Sequence, residues 1–490
     1  MPSKTLKTSK TSSKKSVVLD DLASHPILRQ IAKIAGEAGV EVYAVGGFVR
    51  DYFLKKRVKD IDFVVIGDGI AFAKLVARTF KSKRLAVYRK FGTAMVGYRG
   101  YQLEFVGARK ESYRGDSRKP DVEPADLLTD LARRDFTINA LAVALSEEKF
   151  LHLIDPFNGR SDLRKKIIRT PLDPARTFHD DPLRILRGIR FATQLQFKID
   201  PETYAAMAEM RDRLRIISQE RITDELLKIL AAPKPSIGFK LMDDAGILEI
   251  IFPELVQLKG VEEKDGYHHK DVFDHTLQVL DNVAALSNSI PLRLVALVHD
   301  IAKPQTKKFI EGKGWTFHGH DEIGARMLPA IFKRLRLPND WLKYAQKLTR
   351  LHLRPIALTE EECTDSAYRR LLVQAGEDLD DLLTFCRADI TSRNPQRRRK
   401  YLKRFDFVVQ RLKEVEEKDR MRAFQSPVRG EEIMQVCQIP PGPLVGKIKR
   451  RIEEAILEGE IPNEYEAAKA YLLRIKDEML QEANGQSRQS

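Results

Sequence analysis

Two acids, Asp60 and Asp62, flank a single isoleucine at the start of the run DIDFVVI. Side chains of an extended strand alternate between faces, so both carboxylates leave one face about 7 Å apart along the backbone, with Ile61 on the other. Hard oxygen donors in that arrangement suit Mg²⁺. Cations held there would suit in-line displacement at a phosphate. Alone, the spacing is more often two solvated acids at a strand end. The residues upstream alter that balance. In EVYAVGGFVRD a strand signal runs into Gly46-Gly47 and then into a helix signal. Glycine lets the backbone approach a phosphate closely, and first-turn N–H groups can face it. Arg50 lies one turn in and carries a fork that fits phosphate oxygens.

A second constellation lies in HDDPLRILRGIRFATQL. Asp181 before Pro182 reads as a helix start. Arg184, three residues on, would then be its neighbour on the helix. A carboxylate accepts from an exocyclic amine and a guanidinium donates to a ring nitrogen. Cytosine and adenine offer that pair of groups, whereas uracil and guanine offer the reverse. An Asp181–Arg184 pair can thus select C and A without a nucleic-acid template. The bland alternative is a solvated basic face formed by Arg184, Arg187 and Arg190.

The third constellation is rich in histidine: His275 in VFDHTL, His299-Asp300 in VHDIAKP and Asp389 in CRADIT, with Lys303, His318, His320 and His352 between them. Imidazoles with carboxylates suit a divalent transition metal or Mg²⁺.

GGFVRD, the DID nine residues after it, RRDFTINA at 133–140 and the HDDPLR string together resemble the class II tRNA nucleotidyltransferase and bacterial poly(A) polymerase family. The resemblance implies a head of the DNA polymerase β type, with Asp60 and Asp62 as ligands of Mg²⁺. It gives Gly47 and Arg50 to the triphosphate, and Arg134 and Asp135 to the incoming nucleotide. Arg187 and Arg190 match nucleotide contacts of the family. Glu104, on the later run QLEFVGA, is the candidate third catalytic carboxylate. The family usually writes Glu-Asp-x-x-Arg where this chain has Asp180-Asp181-x-x-Arg184, so Asp180 keeps the charge but shortens the reach. The polar stretch 106–127 matches a mobile loop of the family. The order H…HD…D resembles the HD phosphohydrolase superfamily, which implies His275, His299, Asp300 and Asp389 as ligands of a second divalent metal. His320 and His352 are candidates to complete it. A phosphohydrolase and an RNA-holding scaffold are both open for this part.

These residues need elements to hold them. From about His25 to Ser146 short β-rich runs alternate with helices, and the remainder reads as almost wholly helical. The expected fold is α+β: a mixed-sheet nucleotidyltransferase head followed by a helical neck, an HD-type body and a tail. The expected boundaries are a disordered basic tail at 1–24, the head at 25–154, the neck at 155–260, the HD domain at 261–405 and the tail at 406–490. The net charge of +15, with 85 basic against 70 acidic residues, suits a polyanionic partner. No apolar run approaches the roughly 20 residues of a membrane span. The three cysteines lack metal-ligand spacing, which points to a reduced, cytoplasmic setting. The expected activity is addition of C and A from CTP and ATP to the 3′ end of the tRNA acceptor arm. The alternatives are a poly(A) polymerase, an A-adding enzyme, or, in another class, an HD metal-dependent phosphohydrolase.

Overall fold

The computed structural model describes residues 17–56, 58–112, 121–265, 268–311, 314–359, 363–392, 394–423, 427–457 and 460–486. Its N-terminal part is built on a seven-stranded sheet. From one edge the strands are Leu85–Tyr88, Thr93–Tyr98, Tyr101–Gly107, Asp60–Val65, Val42–Val45, Ala142–Ala144 and Leu153–Ile154. The runs EVYAV, DIDFVVI and QLEFVGA all become strands of this sheet. Asp60–Val65 lies at its centre, parallel to Tyr101–Gly107 and antiparallel to Val42–Val45. A central strand covered on both faces needs apolar side chains on both. Ile61, Phe63, Val64 and Val65 are accordingly buried, and Phe63 stacks on Phe105 at 4.9 Å between ring centres. The helix Gly69–Thr79 covers one face. It comes so near the sheet that a Cβ on Gly69 would lie 2.6 Å from the backbone nitrogen of Gly107.

The expected disordered tail is corrected from residue 17 onward. Val18 bridges to His152, Leu19 N–H donates to the Leu151 carbonyl, and Leu19 and Leu22 are buried. Two leucines of the run VVLDDLAS find an apolar seat at the sheet edge, and this ties the chain down. The lysine-rich residues 1–16 lie outside the described residues. In the stretch read as a loop, Arg109–Ser112 pairs antiparallel with Asp121–Pro124. Residues 113–120 between them lie outside the description.

Helices follow: Pro174–Asp180, Leu183–Leu195, Pro201–Glu209 and Gln219–Leu230, and then Val272–Leu286, Ile290–Val298, His320–Leu335 and Asp340–Leu351. Short ladders interrupt them: Ile167–Ile168 with Lys198–Ile199, Glu262–Asp265 with His268–Asp271, and Lys308–Ile310 with Gly314–Thr316. These pairs of two to four residues are too short to leave a periodic signal. The backbone divides into two compact units, 1–353 with 380–398, and 354–379 with 399–490. The second has its own apolar core, including Val428, Ile433, Ile448, Ile452, Ala468 and Leu472. Among the described residues no helix is long and apolar enough to cross a membrane.

Candidate active site and metal cluster

Strand register places the head carboxylates. Asp62 lies opposite Glu104 on the parallel neighbour and opposite Val45 on the antiparallel one. The residue after Val45 is Gly46, at φ +69°. A Cβ there would meet the Arg134 Nη1 at 2.9 Å and the Asp62 Oδ2 at 3.7 Å. The glycine turn, Asp62 and Arg134 therefore converge at one end of the sheet. Burial pushes the Asp62 carboxyl above its ordinary range and Asp60 adds to the rise, while Arg134 and Arg50 oppose it. Burial and the Asp62 charge likewise raise Glu104. Crowded carboxylates that resist ionising together are a seat for cations, and their donors are the hard oxygens that Mg²⁺ takes.

The arginines around this end are held in place. Arg133 and Arg134 both donate to Asp130, which is fully buried. Arg50 forks onto Asp51 at 2.9 and 2.8 Å and donates to the Asn139 Oδ1 at 2.9 Å. Asn139 in turn donates to the Asp135 Oδ1 at 3.0 Å. Asp135 is buried. Its Oδ1 also accepts from the Phe136 N–H, and its Oδ2 takes both Nε and Nη2 of Arg187 at 2.9 and 2.6 Å. Burial alone would raise this carboxyl, but Arg187 and Asn139 bring it down to about 2. Both oxygens of Asp135 are thus engaged inside the protein. Arg190 donates to buried Glu225 at 2.5 Å and covers the Phe191 ring at 4.0 Å from its centre.

Asp181 and Arg184 do not share a helix, which corrects the sequence reading. Asp181 closes Pro174–Asp180 in an extended conformation, and the next helix begins at Leu183. The proline ring forces this break because the residue before it is disfavoured in the helical region. Asp181 accepts from the Leu183 N–H at 3.2 Å and from Arg221 at 3.3 Å. Arg184 is buried and donates to the Thr177 carbonyl at 3.4 Å. Asp180 ends the preceding helix. Glu220 pairs with Arg336 at 3.7 Å.

The histidine cluster is fully assembled. His275 Nε2 lies 3.0 Å from Asp389 Oδ1, and His299 Nε2 lies 3.1 Å from Asp300 Oδ2. His320 Nε2 lies 3.3 Å from both Asp300 Oδ1 and His352 Nε2. Lys303 reaches Asp300 Oδ2 at 2.9 Å. The outward ring nitrogens are anchored: His299 Nδ1 on the Ala296 carbonyl, His320 Nδ1 on Phe317, His352 Nδ1 on Thr349, and His275 Nδ1 beside Thr391 Oγ1. A carbonyl only accepts, so Nδ1 carries a proton in those three rings, and each turns its Nε2 inward. Burial, then the neighbouring His299, holds His352 down to about 4, which keeps it neutral. His299 Nε2, Asp300 Oδ2 and Asp389 Oδ1 are buried, and the close contacts they make are with the imidazoles, carboxylates and Lys303 of the cluster itself. Two sets, His275–His299–Asp389 and Asp300–His320–His352, each bring their donor atoms within 4.8 Å of one another. Buried imidazole nitrogens and carboxylate oxygens gathered this closely fit divalent metal.

Comparison with known proteins matches three segments of the chain: "Poly A polymerase head domain" over 42–169, "Probable RNA and SrmB- binding site of polymerase A" over 196–258, and "HD domain" over 272–394. An A-adding tRNA nucleotidyltransferase of Deinococcus radiodurans is 31% identical over 445 residues, 89% of this chain and 95% of that protein. This chain belongs to the tRNA nucleotidyltransferase and poly(A) polymerase family. The Multifunctional CCA protein of Nitrosococcus oceani is 35% identical over 74% of this chain and 87% of its own length. A crystal structure of a tRNA nucleotidyltransferase complexed with a primer tRNA and an incoming ATP analog is 26% identical, with a TM-score of 0.57. It covers 79% of this chain and 99% of that one.

This nucleotidyltransferase also uses residues that the sequence reading passed over. Asn139 joins Arg50 to Asp135, and Asp130 anchors the arginine pair. Asn139 sits within RRDFTINA, whose amide offers a donor and an acceptor at once. That dual capacity was the available signal. Asp130 gave none, since a single acid in LLTDLARR reads as solvated.

Proposed function

We propose that this nucleotidyltransferase adds C and A to the 3′ end of tRNA from CTP and ATP, releasing pyrophosphate. The observation that carries this is the convergence of Asp62, Glu104, Gly46 and Arg134 at one end of the sheet. Asp60 and Asp62, with Glu104 beside them, would hold Mg²⁺. When bound, it supplies the positive charge that eases deprotonation of the attacking 3′-hydroxyl and offsets charge on the departing pyrophosphate. Gly47 leaves room for the triphosphate, and Arg50 and Arg134 neutralise it. Asp135 positions Arg187, whose guanidinium remains partly exposed at 38%. Asp181 and Arg184 read the base edge. Arg184 gives up one long bond to do so. The helical half would hold the acceptor arm. The histidine cluster would hold divalent metal and hydrolyse phosphate esters at RNA ends, and its two close-set groups of imidazole and carboxylate donors support that reading.

A-addition alone is the second reading, favoured by the A-adding relative that spans most of this chain. The test is purified protein with tRNA lacking its CCA end, given CTP and ATP singly and together. Incorporation of both, stopping after a short addition, is expected. No CTP incorporation points to A-addition, and long A tails sink both readings.

A further inference from the structure

Between Lys303 and His320, which both contact Asp300 in the histidine cluster, the chain leaves the helical bundle as a hairpin. Lys308–Ile310 pairs antiparallel with Gly314–Thr316, and Phe309 stands directly opposite Trp315. Cross-strand partners share a face. Their rings meet edge to face at 5.3 Å, yet Phe309 remains 65% and Trp315 49% exposed. Isolated exposed apolar residues need no explanation. Two large rings paired on one face, next to a buried metal cluster, are a different case. The rings also alternate with ammonium groups. Lys307 Nζ lies 4.7 Å from the Trp315 ring centre. Closer in, Lys303 Nζ lies 5.5 Å from the Phe317 ring centre and 2.9 Å from Asp300. The Phe317 carbonyl holds the His320 imidazole at 2.7 Å. One ring-and-cation pair thus lies at the exposed rings of the hairpin and a second at the histidine cluster, on the same stretch of chain.

Building on the hydrolytic reading of the cluster, we infer that this hairpin is a stacking platform for the single-stranded end of an RNA whose terminal phosphate the cluster receives. Nucleobases stack on aromatic faces whatever their identity, and lysines beside the rings neutralise the backbone. A protein partner with an apolar face would meet the rings but would leave Lys307 beside them without a counter-charge. A polyanion satisfies both, and so fits the net charge of +15. The place of the hairpin in the chain, between Lys303 and His320, sets the direction, with bases on Phe309 and Trp315 and the phosphate inward past Lys307 and Lys303.

The chain has two tryptophans, Trp315 and Trp341. In the full-length Trp341→Phe variant, indole emission therefore reports on the hairpin alone. The probe is an oligoadenylate of about six nucleotides, within the span such platforms bind, titrated at low salt without added metal. The expected result is saturable quenching of Trp315. Adding Phe309→Ala should weaken the apparent affinity about tenfold with an unchanged circular dichroism spectrum, and adding Lys307→Ala should also weaken it. Unchanged Trp315 emission while fluorescence anisotropy of a labelled oligonucleotide shows binding to the same protein would overturn the platform. The readout needs neither metal nor turnover. Quenching by a protein that hydrolyses no phosphate ester would retain the platform and remove only the hydrolytic reading.

Discussion

At the scale of residues, charge is placed by other charge. Asp135 has its carboxyl held at about 2 by Arg187 and Asn139 against burial. A carboxyl whose folded value lies below its unfolded value, about 3.9, contributes stability that is fully present above 3.9 or so. That contribution is lost as pH falls toward 2. Wild type should thus lose unfolding free energy across that window more steeply than Asp135→Asn, as urea titrations at a series of pH values would show. Arg187→Ala leaves the buried carboxylate without its main partner. A loss of about 3 kcal/mol is expected, together with weaker nucleotide binding. A stability within error of wild type would mean that solvent reaches Asp135 after all.

At the scale of elements, close approach decides. Gly159 opens the helix Gly159–Lys165, and a Cβ there would fall 2.1 Å from the Thr137 carbonyl oxygen. That oxygen belongs to backbone and cannot swing aside. Gly159→Ala should therefore destabilise the head by about 2 kcal/mol or more, read as a lower urea midpoint with an unchanged slope. Such tight contacts were invisible in the sequence, whereas the strands were not. DIDFVVI and QLEFVGA carried their β character in β-branched and aromatic residues, and both became inner strands. The pairing that sets Asp62 beside Glu104 is a matter of register between distant segments, which composition does not encode. The helix break at Asp181 was encoded, in Pro182, but the proline was read as a start for one helix and not also as the end of another. The ladder Lys308–Ile310 with Gly314–Thr316 is three residues to a strand, too short for a period to emerge from its neighbours.

At the scale of the whole molecule, the head carboxylates and the histidine cluster occupy different parts of one chain. The histidine cluster was legible as residue types. Its second shell of carbonyls was not, because backbone partners have no signature in side-chain identity. Asp300 contacts His299, His320 and Lys303. Asp300→Ala should abolish phosphate-ester hydrolysis while nucleotide incorporation into tRNA continues, as parallel assays on one preparation would reveal. Chelation should lower the melting temperature of wild type more than that of Asp300→Ala, since a metal that binds only the folded cluster stabilises it. The most direct test of the head is incorporation of labelled CTP and ATP onto tRNA lacking its CCA end, with Mg²⁺, by wild type and by Asp60→Ala with Asp62→Ala. The account predicts incorporation by wild type and none by the folded double variant. Incorporation that survives the loss of both carboxylates would contradict it.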